Sequence, residues 1–337
     1  MRMPVWMTVL AAGMCLWAGC DRGSSESGAA STQPGGEGTA LRIAVIPKGL
    51  THEFWKSVEA GARKAAAEAG NVQILWQGPP KEDDTNQQIN LVQSFVSNRV
   101  DGMVLAPLSD QALVSPVQLA MRSKIPVVII DSALRGEAGR DFVAYVGTDN
   151  YRAGTLAGRR MAELLGGQGT VLLLRYAESS ASTNEREQGF LDALKEAAPN
   201  VKVIDPPRYA GADVNSAKQA SENMLTAYQG QFEGVFCPNE SSTEGMLVAM
   251  QDRQLPGKVK FVGFDSNARL LSALRENKIQ GLVLQNPTRM GYLGVQTMLR
   301  HLRGEMVEEK TDTGAVLVTP ENIDSPEVQE VLKPSAQ

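Results

Sequence analysis

Two short runs, Val127-Val128-Ile129-Ile130 and Val171-Leu172-Leu173-Leu174, restrict the fold more than any other feature of the chain. Successive side chains of a strand point to opposite faces, so an unbroken apolar run needs cover on both sides. A parallel sheet between two layers of helices supplies that cover, and a half-exposed antiparallel sheet does not. Strands are expected over 42–46, 72–76, 102–106, 126–131 and 144–147, then over 170–174, 201–204, 234–237, 260–264 and 281–285. Helical patterns lie between them. Over 53–69, Phe54, Val58, Ala62, Ala65 and Ala69 recur at three- and four-residue spacing before Gly70; over 150–165 the apolar set is Leu156, Met161, Leu164 and Leu165 before Gly166-Gly167. Strand and helix alternating through two comparable stretches predict an α/β fold of two doubly wound, Rossmann-like lobes with parallel sheets. The composition break at Gly147-Thr148-Asp149 marks the expected first crossing between them.

The first 40 residues do not read as part of that body. Arg2 precedes an uncharged run from Pro4 to Gly19, shorter than the roughly 20 apolar residues of a membrane-spanning helix and ordered like a signal peptide. Leu16-Trp17-Ala18-Gly19-Cys20 resembles the bacterial lipoprotein cleavage box, with Trp17 where that box usually has leucine. Residues 1–19 are thus expected to be a leader, and Cys20 a lipidated terminus; an ordinary secretory signal is the plainer reading. Residues 21–40 hold nine Gly or Ser and no large apolar side chain, which predicts a flexible tether over 20–40 with a reach of about 25 Å. Cys237 is then the only thiol of the body, in an apolar run, and is expected to be buried core; no disulfide, cysteine-based metal site or cofactor is expected. A net charge of −5, from 33 Lys+Arg and 38 Asp+Glu, argues against nucleic acid as a partner.

Ligands of open parallel sheets sit at the carboxyl ends of the strands. Those positions carry Thr51-His52-Glu53-Phe54-Trp55, Asp131-Ser132, Asn239-Glu240, Asp265-Ser266 and Gln285-Asn286-Pro287, with Arg186 in the segment 184–190. Planar groups with two-pronged hydrogen bonding match vicinal hydroxyls, and aromatic faces match the C–H face of a sugar ring. In their order and spacing, Phe54-Trp55, Asp131, Glu185-Arg186-x-x-Gly189-Phe190, Asn239-Glu240, Val262-Gly263-Phe264-Asp265 and Gln285 resemble the bacterial ribose-type periplasmic binding proteins, which serve ATP-driven sugar importers. The resemblance spans 41–333.

The resemblance implies an exported receptor whose two lobes close on a sugar or polyol and deliver it to an ABC permease, as a monomer tethered through Cys20. The chain would cross near Thr148, Asn286 and Gly314, giving one lobe of 41–147 plus 286–314 and another of 148–285 plus 315–333. Phe54 and Trp55 would be the aromatic clamp, and Asp131, Arg186, Asn239, Asp265 and Gln285 the polar set, with Gln285 at a hinge. Three positions depart from the ribose type. Ser132 stands where an arginine is usual, and Ala106-Pro107 and His52 stand where asparagines are usual. His52 and Ser132 join the candidate contacts, and a hydroxyl pattern other than that of ribose, or a larger ligand, is implied.

Each candidate also has a plain structural use. Phe54 and Trp55 suit a core, Asp131 a turn cap, Arg186 a solvated helix face, Asn239 the cap of a helix starting near Ser241, and Asp265 a turn or hinge ion pair. His301 reads as an exposed helix residue. A sensory receptor docking to a chemoreceptor or sensor kinase would share the fold. A repressor would need a helix-turn-helix, which residues 1–40 do not offer. An enzyme would need a nucleophile elbow, a phosphate loop or a metal set, and none is present in the sequence.

Overall fold

The computed structural model describes residues 40–332. The leader, Cys20 and all but the last residue of the expected tether lie outside the described residues, as does Lys333. From its start the described chain runs β1 (Leu41–Ile46), α1 (Glu53–Ala69), β2 (Val72–Trp76), α2 (Thr85–Ser97), β3 (Gly102–Leu105), α3 (Val114–Arg122), β4 (Val127–Ile130) and β5 (Ala144–Gly147). It continues through α4 (Asn150–Leu165), β6 (Thr170–Leu173), α5 (Ala181–Ala197), β7 (Lys202–Ile204), α6 (Val214–Ala227), β8 (Gly234–Phe236), α7 (Glu240–Asp252), β9 (Lys260–Phe264), α8 (Ala268–Arg275) and β10 (Gly281–Gln285). The last elements are α9 (Pro287–Leu302), β11 (Lys310–Asp312), β12 (Ala315–Val318) and α10 (Pro326–Leu332). All ten expected strands are present, their ends within one residue of expectation.

The strands form two sheets of six with matching orders, β11-β5-β4-β3-β1-β2 and β12-β10-β9-β8-β6-β7. The chain passes between the sheets three times: after β5, between β10 and α9, and between β11 and β12. Every pairing is parallel except that of β12 with β10. The exception follows from the path. β11 runs toward the crossing region like its neighbours, and two residues later β12 enters the second sheet going the other way.

The apolar runs behave as their pattern requires. Val128 and Ile130 enter the core on one face of the first sheet, and Val127 and Ile129 enter the core on the other. Val171 and Leu173 divide from Leu172 and Leu174 in the same way in the second sheet. All eight are fully buried, and each such side chain contributes about 1.5–3 kcal/mol relative to exposure. Cys237 is buried among them. His301 is exposed on α9.

Two helical faces differ from expectation. Ala69 is exposed, because the buried stripe of α1 ends with Ala65 and Ala66. On α4 the buried face is Ala153, Gly154, Ala157, Gly158, Met161 and Ala162, while Leu156, Leu164 and Leu165 only flank it. The reason is close helix packing. A Cβ on Gly189 of α5 would lie 2.0 Å from the Tyr151 carbonyl of α4, and a Cβ on Gly61 of α1 would lie 1.9 Å from the Thr288 carbonyl of α9. Backbones that approach so closely leave no room for leucine between them. Among the described residues, no helix is long and apolar enough to cross a membrane.

Candidate functional site

The carboxyl ends of the two sheets face one another, and an aspartate follows the equivalent strand of each: Asp131 after β4 and Asp265 after β9. Both adopt left-handed backbone, with φ of 63° and 62°, a conformation that aspartate tolerates better than most residues. The turn this makes leaves each carboxylate at the strand end and nearly inaccessible to solvent.

Around Asp131 the partner is a cation that the sequence did not reveal. Lys48, just beyond β1 and 3% exposed, places Nζ 2.8 Å from Asp131 Oδ2. The same ammonium donates to Ser182 Oγ of α5 at 3.0 Å, across the cleft. Ser132 makes a second bridge, its hydroxyl accepting from Ser182 N at 3.1 Å. Ser132 is thus a contact between lobes and does not line the central cavity. Ala106 does not line it either, being packed in the core.

Around Asp265 the support is internal. Gln285 Nε2 donates to Oδ1 at 2.7 Å and Glu240 N to Oδ2 at 3.1 Å. Arg186 Nη1 lies 4.0 Å from Oδ2. Burial raises the Asp265 pKa, and Arg186 and Gln285 oppose that rise. Arg186 itself is 2% exposed, so the solvated-helix reading does not hold. Its Nε donates to Asn150 Oδ1 at 2.8 Å and its Nη1 to Pro238 O at 3.1 Å, and the guanidinium stacks 4.4 Å above the Phe264 ring. Gln285 also accepts from Thr148 Oγ1 at 2.9 Å, and Thr148 lies 3.4 Å from Thr313 Oγ1, tying the three crossing segments together.

The aromatic end is organised by Glu82, from the loop between β2 and α2. Phe54 and Trp55 meet edge to face with ring centres 4.9 Å apart. Trp55 Nε1 donates to Glu82 Oε1 at 2.6 Å, His52 Nδ1 lies 2.7 Å from the same oxygen, and Tyr176 of the opposite lobe donates to Oε2 at 2.8 Å. Burial alone would lower the His52 pKa, but the Glu82 charge and hydrogen bond outweigh it and raise it to about 9. Burial would likewise raise Glu82, but His52, Lys48 and the Trp55 N–H hold it at about 2. The pair is therefore ionic at neutral pH. His52 Nε2 is buried and has no hydrogen-bond partner among the described residues. Asn239 caps α7, accepting from Ser242 N at 3.3 Å in a capping box, so its structural use is realised while it still borders the cleft.

His52, Phe54, Trp55, Asp131, Arg186, Asn239, Asp265 and Gln285 line one cavity between the lobes. Lys48, Glu82, Tyr176, Ser182, Thr183 and Glu240 complete its wall and were not among the expected contacts. Their charges nearly cancel. Lys48, His52 and Arg186 answer Asp131, Glu82 and Asp265, and Glu240 lies against the amino end of α1, where the helix dipole is positive. No group of three or more His, Cys, Asp or Glu suited to a metal ion occurs among the described residues.

This arrangement coincides with a family model: residues 43–306 match the periplasmic binding protein domain. The chain belongs to the periplasmic binding protein family. Among curated relatives of this periplasmic binding protein is the D-ribose/D-allose-binding protein of Pseudomonas aeruginosa, 27% identical over 83% of this chain and 87% of that one. Among solved structures, an ABC transporter solute-binding protein from Agrobacterium vitis with bound D-fucose is 35% identical, with a TM-score of 0.83 over 87% of this chain and 100% of that one. A carbohydrate transporter solute-binding protein from Agrobacterium radiobacter in complex with D-arabinose is 33% identical, with a TM-score of 0.82 over 87% and 99%. The binding-protein family and the α/β fold expected from the sequence are both met.

Proposed function

We propose that this chain is the extracytoplasmic binding component of an ABC-type sugar importer, closing two lobes around a monosaccharide or related polyol and presenting it to a membrane permease. The observation that carries this reading is the cleft itself. Two carboxylates, an arginine and an edge-to-face aromatic pair converge from both lobes on a cavity whose charges nearly cancel. A charged ligand would upset that balance; a neutral polyhydroxyl ligand takes hydrogen bonds from it and stacks on the aromatics. Micromolar binding, about −8 kcal/mol, is within reach of a few such bonds after the cost of closure. Asp131, Arg186, Asp265 and Gln285 are assigned as the main polar contacts, His52 and Asn239 as further contacts, and Phe54 and Trp55 as the clamp. Ser132 is assigned to closure. The lobes are assigned as 41–147 with 286–314 and 148–285 with 315–333, hinged at the three crossings.

Export, lipidation at Cys20 and a monomeric state belong to the same proposal. Labelled palmitate should enter the wild-type protein and not Cys20→Ser, which should move to the soluble fraction. The decisive experiment is a thermal-shift and calorimetric screen of protein lacking its first 20 residues over pentoses, hexoses, deoxyhexoses and polyols. One or a few should raise the melting temperature and be recovered unaltered. Silence toward every sugar with a clear response to an amino acid or nucleoside would overturn the assignment.

A further inference from the structure

Helix α1, which carries both aromatics of the clamp in its first turn, has no cap of its own. Its N-cap residue, His52, makes no side-chain bond to the first turn, and its ring is held by Glu82 instead. The exposed ends of such a helix must find acceptors elsewhere. Glu53 N donates to Glu240 Oε1 at 3.3 Å and Phe54 N to Glu240 Oε2 at 3.1 Å. Glu240 belongs to α7, in the lobe built on the other sheet. Asn267 Nδ2 steadies its Oε1 from 3.4 Å, and its own N–H is bonded to Asp265. The four consecutive residues His52, Glu53, Phe54 and Trp55 therefore each give one N–H to a carboxylate: two to Glu82 of their own lobe and two to Glu240 of the other.

We propose that Glu240 is a positioning residue that caps α1 across the cleft only when the lobes are closed, fixing Phe54 and Trp55 against the ligand at that moment. The proposal rests on reading the cleft as a closing sugar site. A carboxylate accepting two backbone N–H groups makes charge-assisted bonds, stronger than those of a neutral cap. In an open protein both partners return to water. The cap is thus a contact that distinguishes closed from open, and only such contacts shift that equilibrium. It also ties Asp265 to the aromatic turn through a single residue, so the polar and stacking halves of the site assemble together.

The test compares wild type, Glu240→Gln and Glu240→Ala, with D-fucose and D-arabinose as probes. Glu240→Ala should weaken binding about tenfold or more, and Glu240→Gln about threefold, since its amide oxygen still accepts one of the two bonds. Hydrogen exchange at the Glu53 and Phe54 amides should slow on adding sugar to wild type and stay fast in Glu240→Ala, a change that general destabilisation would not confine to two amides. Where either sugar binds wild type, equal protection of both amides with and without it, or unchanged affinity in Glu240→Ala, would overturn the proposal. A ligand-free arm keeps it separate from the ligand assignment. Spin labels at Ala60→Cys and Asn215→Cys, exposed positions on α1 and α6, report the distance between lobes, and Glu240→Ala should lose its short-distance population. If neither sugar binds wild type yet that population is lost, the ligand assignment fails and the cap stands; if the distances are unchanged, the cap fails.

Discussion

The two lobes place the same residue at the same strand position and support it in opposite ways. Asp265 is held by Gln285, the Glu240 amide and Arg186, and Arg186 is locked by Asn150, Pro238 and Phe264, all within one lobe or its hinge edge. Asp131 has one close cation, Lys48, which also reaches Ser182 of the other lobe, while Glu82 beside it takes a bond from Tyr176 of that lobe. One half of the site is preorganised, and the other is finished by contact with its opposite. A rigid half can receive a ligand at little ordering cost, and the second half then supplies contacts made only on closure.

The largest effect should come from the rigid half. Arg186→Ala strands Asp265 and leaves Asn150 Oδ1 and Pro238 O without their donor, so stability should fall by about 3–5 kcal/mol and sugar binding should disappear. Lys48→Ala should cost less, about 1–3 kcal/mol, because Asp131 can regain water when the lobes part. Differential scanning calorimetry of the two variants measures the contrast, and equal losses would break it.

A middle effect is expected from pH. His52 has its pKa raised from 6.5 to about 9, so its contribution is complete below about 6.5 and is lost as pH rises through about 9. Glu82 is depressed from 4.5 to about 2, so its contribution is complete above about 4.5 and is lost only as pH falls through about 2. Folding stability should therefore be greatest from about pH 4.5 to 6.5 and decline toward 9. The decline should vanish in His52→Gln, and thermal unfolding followed across that range would show it persisting if another group is responsible.

The smallest effect should come from the rim, where Lys81 meets Asp213 of the opposite lobe at 2.6 Å but is itself exposed. Lys81→Ala should change affinity about twofold or less, and not at all in high salt. A larger loss would mean that closure is governed at the mouth and not at the centre.

The sequence exposed the parts of this molecule whose residues have a single use. Val127 to Ile130 can only be a strand covered twice, and that pattern gave the layers. β11 escaped because Lys310, Thr311 and Asp312 carry no apolar signal, the strand being paired on one edge alone. Asp131, Arg186 and Asp265 stood out at strand ends or within a familiar spacing. Lys48 did not, since a lysine after a strand usually lies in solvent, and only the fold brings it to Asp131. Glu82 sits in the charged stretch Lys81-Glu82-Asp83-Asp84, which reads as a solvated loop. Its partners lie 30 residues before it and 94 after it, at distances that no local pattern encodes.

The threefold passage of the chain between sheets also sets an order of manufacture. The sheet begun with β1 lacks its edge strand until residue 312 has left the ribosome, and the core of the other still awaits Val318 and Val328. The half that is started first is therefore completed only after five of the six strands of its partner have been made. A chain stopped before residue 310 carries neither sheet complete, so both partly built halves are exposed to misassembly until their edge strands are added.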